Sequence, residues 1–148
     1  MRSSKHFSQR AFTLIEVIVV IAIIGIMTSL VIAVYRNVAQ NSRVVVASQQ
    51  QVAIQSAINN WITNETTTKS MFSVKSDYTA TQTATGSQGI LLKIQAYLDE
   101  LTFTHLQANS PAGEDKIQSA ALKKIEHYIQ LSTWGAGSYP QVQMKPNS

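Results

Sequence analysis

Residues 9–36 read QRAFTLIEVIVVIAIIGIMTSLVIAVYR. From Val17 to Val34, eighteen consecutive residues are apolar or small apart from Thr28 and Ser29. As a helix they reach roughly 27 Å, close to the thickness of a bilayer's hydrocarbon core. An ordinary secretory signal carries a shorter apolar run, about 7–15 residues, ahead of a small-residue cleavage site. Val31-Ile32-Ala33 and Asn37-Val38-Ala39 imitate such sites, so a signal peptide or plain signal anchor is the simple alternative. One carboxylate, Glu16, falls at the start of the run. A charge in a membrane helix costs several kcal/mol and ordinarily has a partner and a purpose. A Glu that only reaches water by snorkelling is the plainer explanation.

The flanking charges orient the run. Arg2, Lys5 and Arg10 precede it, and Arg36 and Arg43 follow it. This bias places the first residues in the cytoplasm and the remainder outside. The formal charge of +4 overstates the basicity of the working part: removing those three from the twelve Lys and Arg residues leaves nine, against eight acidic residues. Nucleic-acid binding needs clustered positive charge, and no cluster occurs after residue 43. The chain has 148 residues and no cysteine, which excludes a disulfide framework and any Cys-based zinc site.

Ala11-Phe12-Thr13-Leu14-Ile15-Glu16, with apolar residues on to Tyr35, resembles the start of type IV pilins and pseudopilins. Members of that family carry a short basic leader ending in glycine, then F-T-L-I-E and a hydrophobic helix. FTLIE is matched at all five positions, Phe12 to Glu16, and Met1–Ala11 is short, polar and basic. The resemblance implies cleavage between Ala11 and Phe12 by a membrane-embedded prepilin peptidase, followed by N-methylation of Phe12. It also implies that Glu16 pairs with the amine of a neighbouring subunit. Two positions depart from the family pattern. Ala11 replaces the usual glycine before the cut, and Ala33 stands where many major pilins have a kinking proline. The expected layout is α+β: a long N-terminal helix packed on a small globular domain with short helices and a small antiparallel sheet. Residues 1–11 would be leader, 12–35 membrane or filament-core helix, 36–64 its continuation, and 65–148 the periplasmic domain.

The remaining residues supply the detail. Val44, Ala47, Gln51, Ile54, Ile58 and Trp61 follow a 3-4-3-4-3 spacing that lines one helix face, interrupted by one polar residue. With no Pro or Gly between Gly25 and Gly86, one helix is predicted from about Phe12 to Asn64. Its stripe would dock on the globular domain, and to a lesser degree on neighbouring subunits. Thr66–Thr68 and Thr79–Gly89 read as surface loop, and Met71–Tyr78 as a short strand. A helix is predicted over Ser87–Leu101, a short strand over Thr102–His105, and a break at Pro111-Ala112-Gly113. A third helix would start at Glu114-Asp115 and run to about Ile125 or His127. A hairpin is predicted at about 127–145, turning through Trp134–Ser138, with Pro140 on an edge strand.

Catalysis finds little support. His6, His105 and His127 stand apart, no His/Asp/Glu cluster has metal-ligand spacing, and neither a nucleophile elbow nor a phosphate loop occurs. Asp99-Glu100 and Glu114-Asp115 read as solvated helix ends, with a calcium site as the alternative. Calcium binds some major pseudopilins, but no ligand motif here carries that site over, and no cofactor is implied. Trp61 and Trp134 read as core or interface aromatics. The function expected is structural: a single-pass inner-membrane subunit, processed and then drawn into a filament by an assembly platform, with identical or related subunits as partners. The lack of cysteine excludes the C-terminal disulfide loop common in major type IV pilins and favours a type II secretion pseudopilus. The competing reading is an anchored periplasmic domain that binds a partner without polymerising.

Overall fold

The computed structural model describes residues 12–147. The element order is α1 (Leu14–Thr68), α2 (Met71–Lys93), a 3-10 turn (Gln95–Tyr97), α3 (Glu100–Asn109), α4 (Ala120–Lys124), β1 (His127–Leu131) and β2 (Val142–Pro146). The chain divides into two compact units at Ala39/Gln40.

In the first unit α1 carries the apolar run, and its large side chains from Phe12 to Val38 are exposed. It is the one described helix long and apolar enough to cross a membrane. Thr28 and Ser29, its two hydroxyl residues, return their O–H groups to the carbonyls of Ile24 and Ile26 (both 2.7 Å). Neither of these two hydroxyl hydrogens is left unpaired, as a helix crossing a membrane would require.

The second unit begins with the remainder of α1. Ala47, Ile54, Ile58 and Trp61 of the predicted stripe are buried, joined by Ala57 and Ile62, whereas Val44 stays exposed. Gln51, the polar interruption, donates to the Val142 carbonyl (2.8 Å). One turn on, the Gln55 amide donates to the Pro140 carbonyl (3.0 Å) and accepts from the Val142 N–H (2.8 Å). Two helix side chains thus satisfy backbone groups of Pro140 and of Val142, the first residue of β2, that the two-stranded sheet leaves unpaired.

The threonine-rich stretches fold differently from the expectation. Thr66–Thr68 belong to α1, their hydroxyls bonding carbonyls three or four residues back. Met71–Tyr78 is helix rather than strand and Thr79–Gly89 is helix rather than loop, capped by the Ser70 hydroxyl, which accepts from the Ser73 N–H (3.2 Å). Thr79, Thr81, Thr83 and Thr85 each bond the carbonyl four residues earlier at 2.8 Å. Their preference for loops is overridden because Val74 and Tyr78, one turn apart, are anchored in the core. Lys93 rather than Leu101 ends this helix. Thr102–His105 lies in α3, started by the Asp99 carboxylate accepting from the Thr102 N–H (3.0 Å), and buries Phe103 and Leu106. The break at Pro111–Gly113 is present, but Glu114-Asp115 starts no helix. Ser119 caps the five-residue α4, and the backbone before it is held by Ile117 pairing with Ile129 of β1.

The hairpin forms with His127 opposite Pro146 and Leu131 opposite Val142. Pro140 is buried just before β2. Between the strands, Trp134 packs edge-on against Tyr78 (5.6 Å between centroids), which in turn faces Trp61 at 6.4 Å. Trp61 and Trp134 are therefore core aromatics, linked through a tyrosine. The Tyr78 hydroxyl donates to the Ser132 carbonyl (2.9 Å).

A polar junction locks α2 to this hairpin. Gly86 interrupts α2 at φ 64° and ψ −158°, a conformation nearly reserved for glycine. The break turns the Ser87 N–H and O–H onto one oxygen of Asp115, both at 2.5 Å. The same Ser87 oxygen accepts from the Leu131 N–H (3.0 Å) of β1. Gln130 donates to the other Asp115 oxygen (2.7 Å), and Lys145 of β2 donates to Gln130 (2.6 Å). Partial desolvation opposes ionisation of Asp115. The Ser87 and Gln130 side chains, the Ser87 N–H and the Lys145 charge outweigh it and hold the carboxyl below its ordinary value. Asp115, read from sequence as a solvated helix end, is instead the hub joining α2, the 111–119 loop and β1.

Candidate functional site: the start of the apolar helix

Thr13 and Glu16 meet at the first turn of α1. Glu16 N–H donates to the Thr13 hydroxyl oxygen (3.3 Å), while one Glu16 carboxylate oxygen, Oε2, accepts from both the N–H and the O–H of Thr13 (both 2.8 Å). This is a reciprocal capping box. The threonine satisfies a helix N–H, and the carboxylate returns to the N–H of the residue that caps it. The negative group also lies at the positive end of the helix dipole. Glu16 Oε1 accepts no hydrogen bond among the described residues.

The geometry answers part of the question Glu16 raised. In the single chain its carboxylate is held by its own helix end and is not a bare charge. The signal lies in the sequence as Thr-x-x-Glu ahead of an apolar run, in which Thr13 is a capping residue as well as part of the recognition motif. Phe12, Leu14 and Ile15 surround the box with exposed side chains, Phe12 at 83% and Leu14 at 81%. The structure thus brings Thr13 and Glu16 together and leaves the apolar members of the motif available to lipid or protein. Ala11, the residue before the expected cut, lies outside the described residues.

A model of the prokaryotic N-terminal methylation motif matches residues 6–32. No curated protein and no solved structure matches the chain significantly. The matched motif is the signature of type IV pilins and pseudopilins, and it ends within α1. The α+β layout of one long helix, short helices and a two-stranded antiparallel sheet is the pilin-like one that the resemblance implies. The motif supports processing by prepilin peptidase and a membrane-anchored state.

Proposed function

We propose that this protein is a structural filament subunit. Prepilin peptidase cuts between Ala11 and Phe12, the new amine of Phe12 is methylated, and the subunit waits in the inner membrane with its C-terminal domain in the periplasm. An assembly platform then passes it into a type II secretion pseudopilus or a related type IV filament of identical or related subunits. Residues 12–35 form the filament core, 36–64 continue the helix, and 65–148 supply the periplasmic domain. The chain is not an enzyme in this reading. The observation that carries it is the coincidence of the methylation motif with a capping box in which one carboxylate oxygen, Oε2, accepts both bonds and Oε1 accepts none among the described residues.

Glu16 has a specific task in this scheme. Its Oε2 secures the helix end of its own subunit, and its Oε1 is left for the methylated amine of a neighbour. A carboxylate and an ammonium in low dielectric attract strongly, and either one left unpaired is penalised. The pair therefore sets register and recruitment more than it adds net stability.

Mass and N-terminal sequence of the mature protein test the first half. The expected chain begins at methylated Phe12. A chain beginning after Ala33 or Ala39 identifies an ordinary signal peptide and refutes the proposal. For the second half, Glu16→Val is expected to insert into the membrane and to lose filament assembly. A variant that enters filaments as readily as wild type, alone and in mixtures, removes the pairing role.

A further inference from the structure

Nothing in the composition of the first residues stops a helix. From Met1 to Ile24 the chain contains neither proline nor glycine, and Gln9, Arg10 and Ala11 are all good helix formers. Ala11 is the strongest of them, at the position where the pilin pattern has glycine, the weakest after proline. Yet α1 begins only at Leu14, with Phe12 and Thr13 outside it.

Thr13 marks that boundary. Its carbonyl accepts the Val17 N–H (3.3 Å), and its hydroxyl oxygen accepts the Glu16 N–H (3.3 Å). The Glu16 carboxylate closes the box on the N–H and O–H of Thr13. A helix continued upstream would need that same Thr13 N–H to donate to the carbonyl of residue 9, four positions back. The box withdraws it. The next residue upstream with a capping side chain is Ser8. A helix started there would take in the peptide between Ala11 and Phe12. A peptidase cuts a bond in proportion to the population in which that bond is open, out of regular hydrogen-bonded structure.

We propose that Thr13 is a positioning residue for processing: its cap stops α1 short of Phe12 and keeps the Ala11–Phe12 peptide out of the helix. Alanine at position 11 makes this task necessary, and glycine there would lighten it. The proposal rests on the processing step of the filament reading. It adds a residue that sets the rate of the cut by fixing where the helix begins.

The test incubates the full-length precursor with a prepilin peptidase in detergent micelles and follows initial rates of leader loss by mass. Thr13→Val keeps the shape and removes the capping oxygen. It is expected to slow the cut about five-fold, the factor that matches one lost cap. Thr13→Ser still caps and is expected to stay within about two-fold of wild type. Ala11→Gly disfavours the upstream helix by itself, so in that background Thr13→Val is expected to cost less than about two-fold. An equal factor in both backgrounds means that the peptidase reads the Thr13 side chain directly, and overturns the proposal. So does Thr13→Val cut as fast as wild type, or Thr13→Ser cut as slowly as Thr13→Val. In each of these cases the processing reading stands. If wild type is not cut between Ala11 and Phe12, the processing reading fails and this proposal fails with it.

Discussion

Gly86 is a position at which one methyl group should do substantial damage. A Cβ built there would lie 2.8 Å from Asp115 Oδ1 and 3.1 and 3.2 Å from Asp115 Cβ and Cα, and the residue's φ is +64°. Two costs therefore combine in Gly86→Ala. Holding a non-glycine residue in this conformation costs about 1–3 kcal/mol. Moving Asp115 aside to relieve the overlap weakens its two bonds from Ser87, and a hydrogen bond to a charged group contributes about 1.5–3 kcal/mol. A total of about 3–5 kcal/mol follows, since neither bond need be lost completely. Two other glycines separate the costs. Gly113 has φ +80° with nothing within 4 Å of its Cβ position, so Gly113→Ala carries strain alone, about 1–2 kcal/mol. Gly135 has an equally open Cβ position without the positive φ, and Gly135→Ala should fall within about 0.5 kcal/mol of wild type. The assay is urea unfolding of the detergent-solubilised protein, followed by tryptophan fluorescence, because Trp61 and Trp134 both pack on Tyr78. With a slope of about 2 kcal/mol per molar, Gly86→Ala should lower the midpoint by about 2 M. In an Asp115→Ala background the same change should cost less than in wild type, since Oδ1, the atom at 2.8 Å, is gone while Cβ and Cα at 3.1 and 3.2 Å remain. Equal midpoints for Gly86→Ala and Gly113→Ala would refute the reasoning.

The other predictions concern the helix end, the junction and the docking amides. Thr13→Val removes the capping hydroxyl at nearly constant volume, and should weaken the first turn by about 1 kcal/mol. Hydrogen exchange at Leu14–Val17 in micelles should accelerate several-fold, and unchanged exchange would mean that the box contributes nothing. Asp115 has a folded value below its unfolded one of about 3.9. Its contribution is therefore complete above that unfolded value and lost as pH falls through the folded value. Asp115→Asn should be less stable than wild type at pH 7 and show a flatter decline on acidification, read from urea midpoints at a series of pH values. Gln55→Ala leaves the Val142 N–H without its acceptor and should cost about 1–3 kcal/mol by the same assay.

Much of the N-terminal half was legible because its signals are local or periodic. An eighteen-residue run with only two hydroxyl residues needs no tertiary partner to read as a span, and the 3-4-3-4-3 stripe that ends at Trp61 named four of the buried positions on α1. The hairpin was legible for the same reason, through alternation on either side of a glycine-bearing turn. The middle of the chain was misread because its composition and its fate differ. Threonine-rich segments favour loops and strands when isolated, and whether they become helix depends on whether a few residues such as Val74, Tyr78 and Phe103 find a core.

Sequence by itself thus determined the apolar run, the motif and the continuity of α1, since hydropathy, a five-residue signature and the absence of helix breakers act over short distances. Only the tertiary structure decided that Gln51 and Gln55 clasp the backbone beside β2. It also decided that Gly86, Ser87 and Asp115 form a junction, and that one side of α1 is left uncovered. The physical reason is common to the clasp and the junction. Each depends on which distant groups come within about 3 Å of one another, and hydrogen bonding at that range carries no periodic trace in the chain.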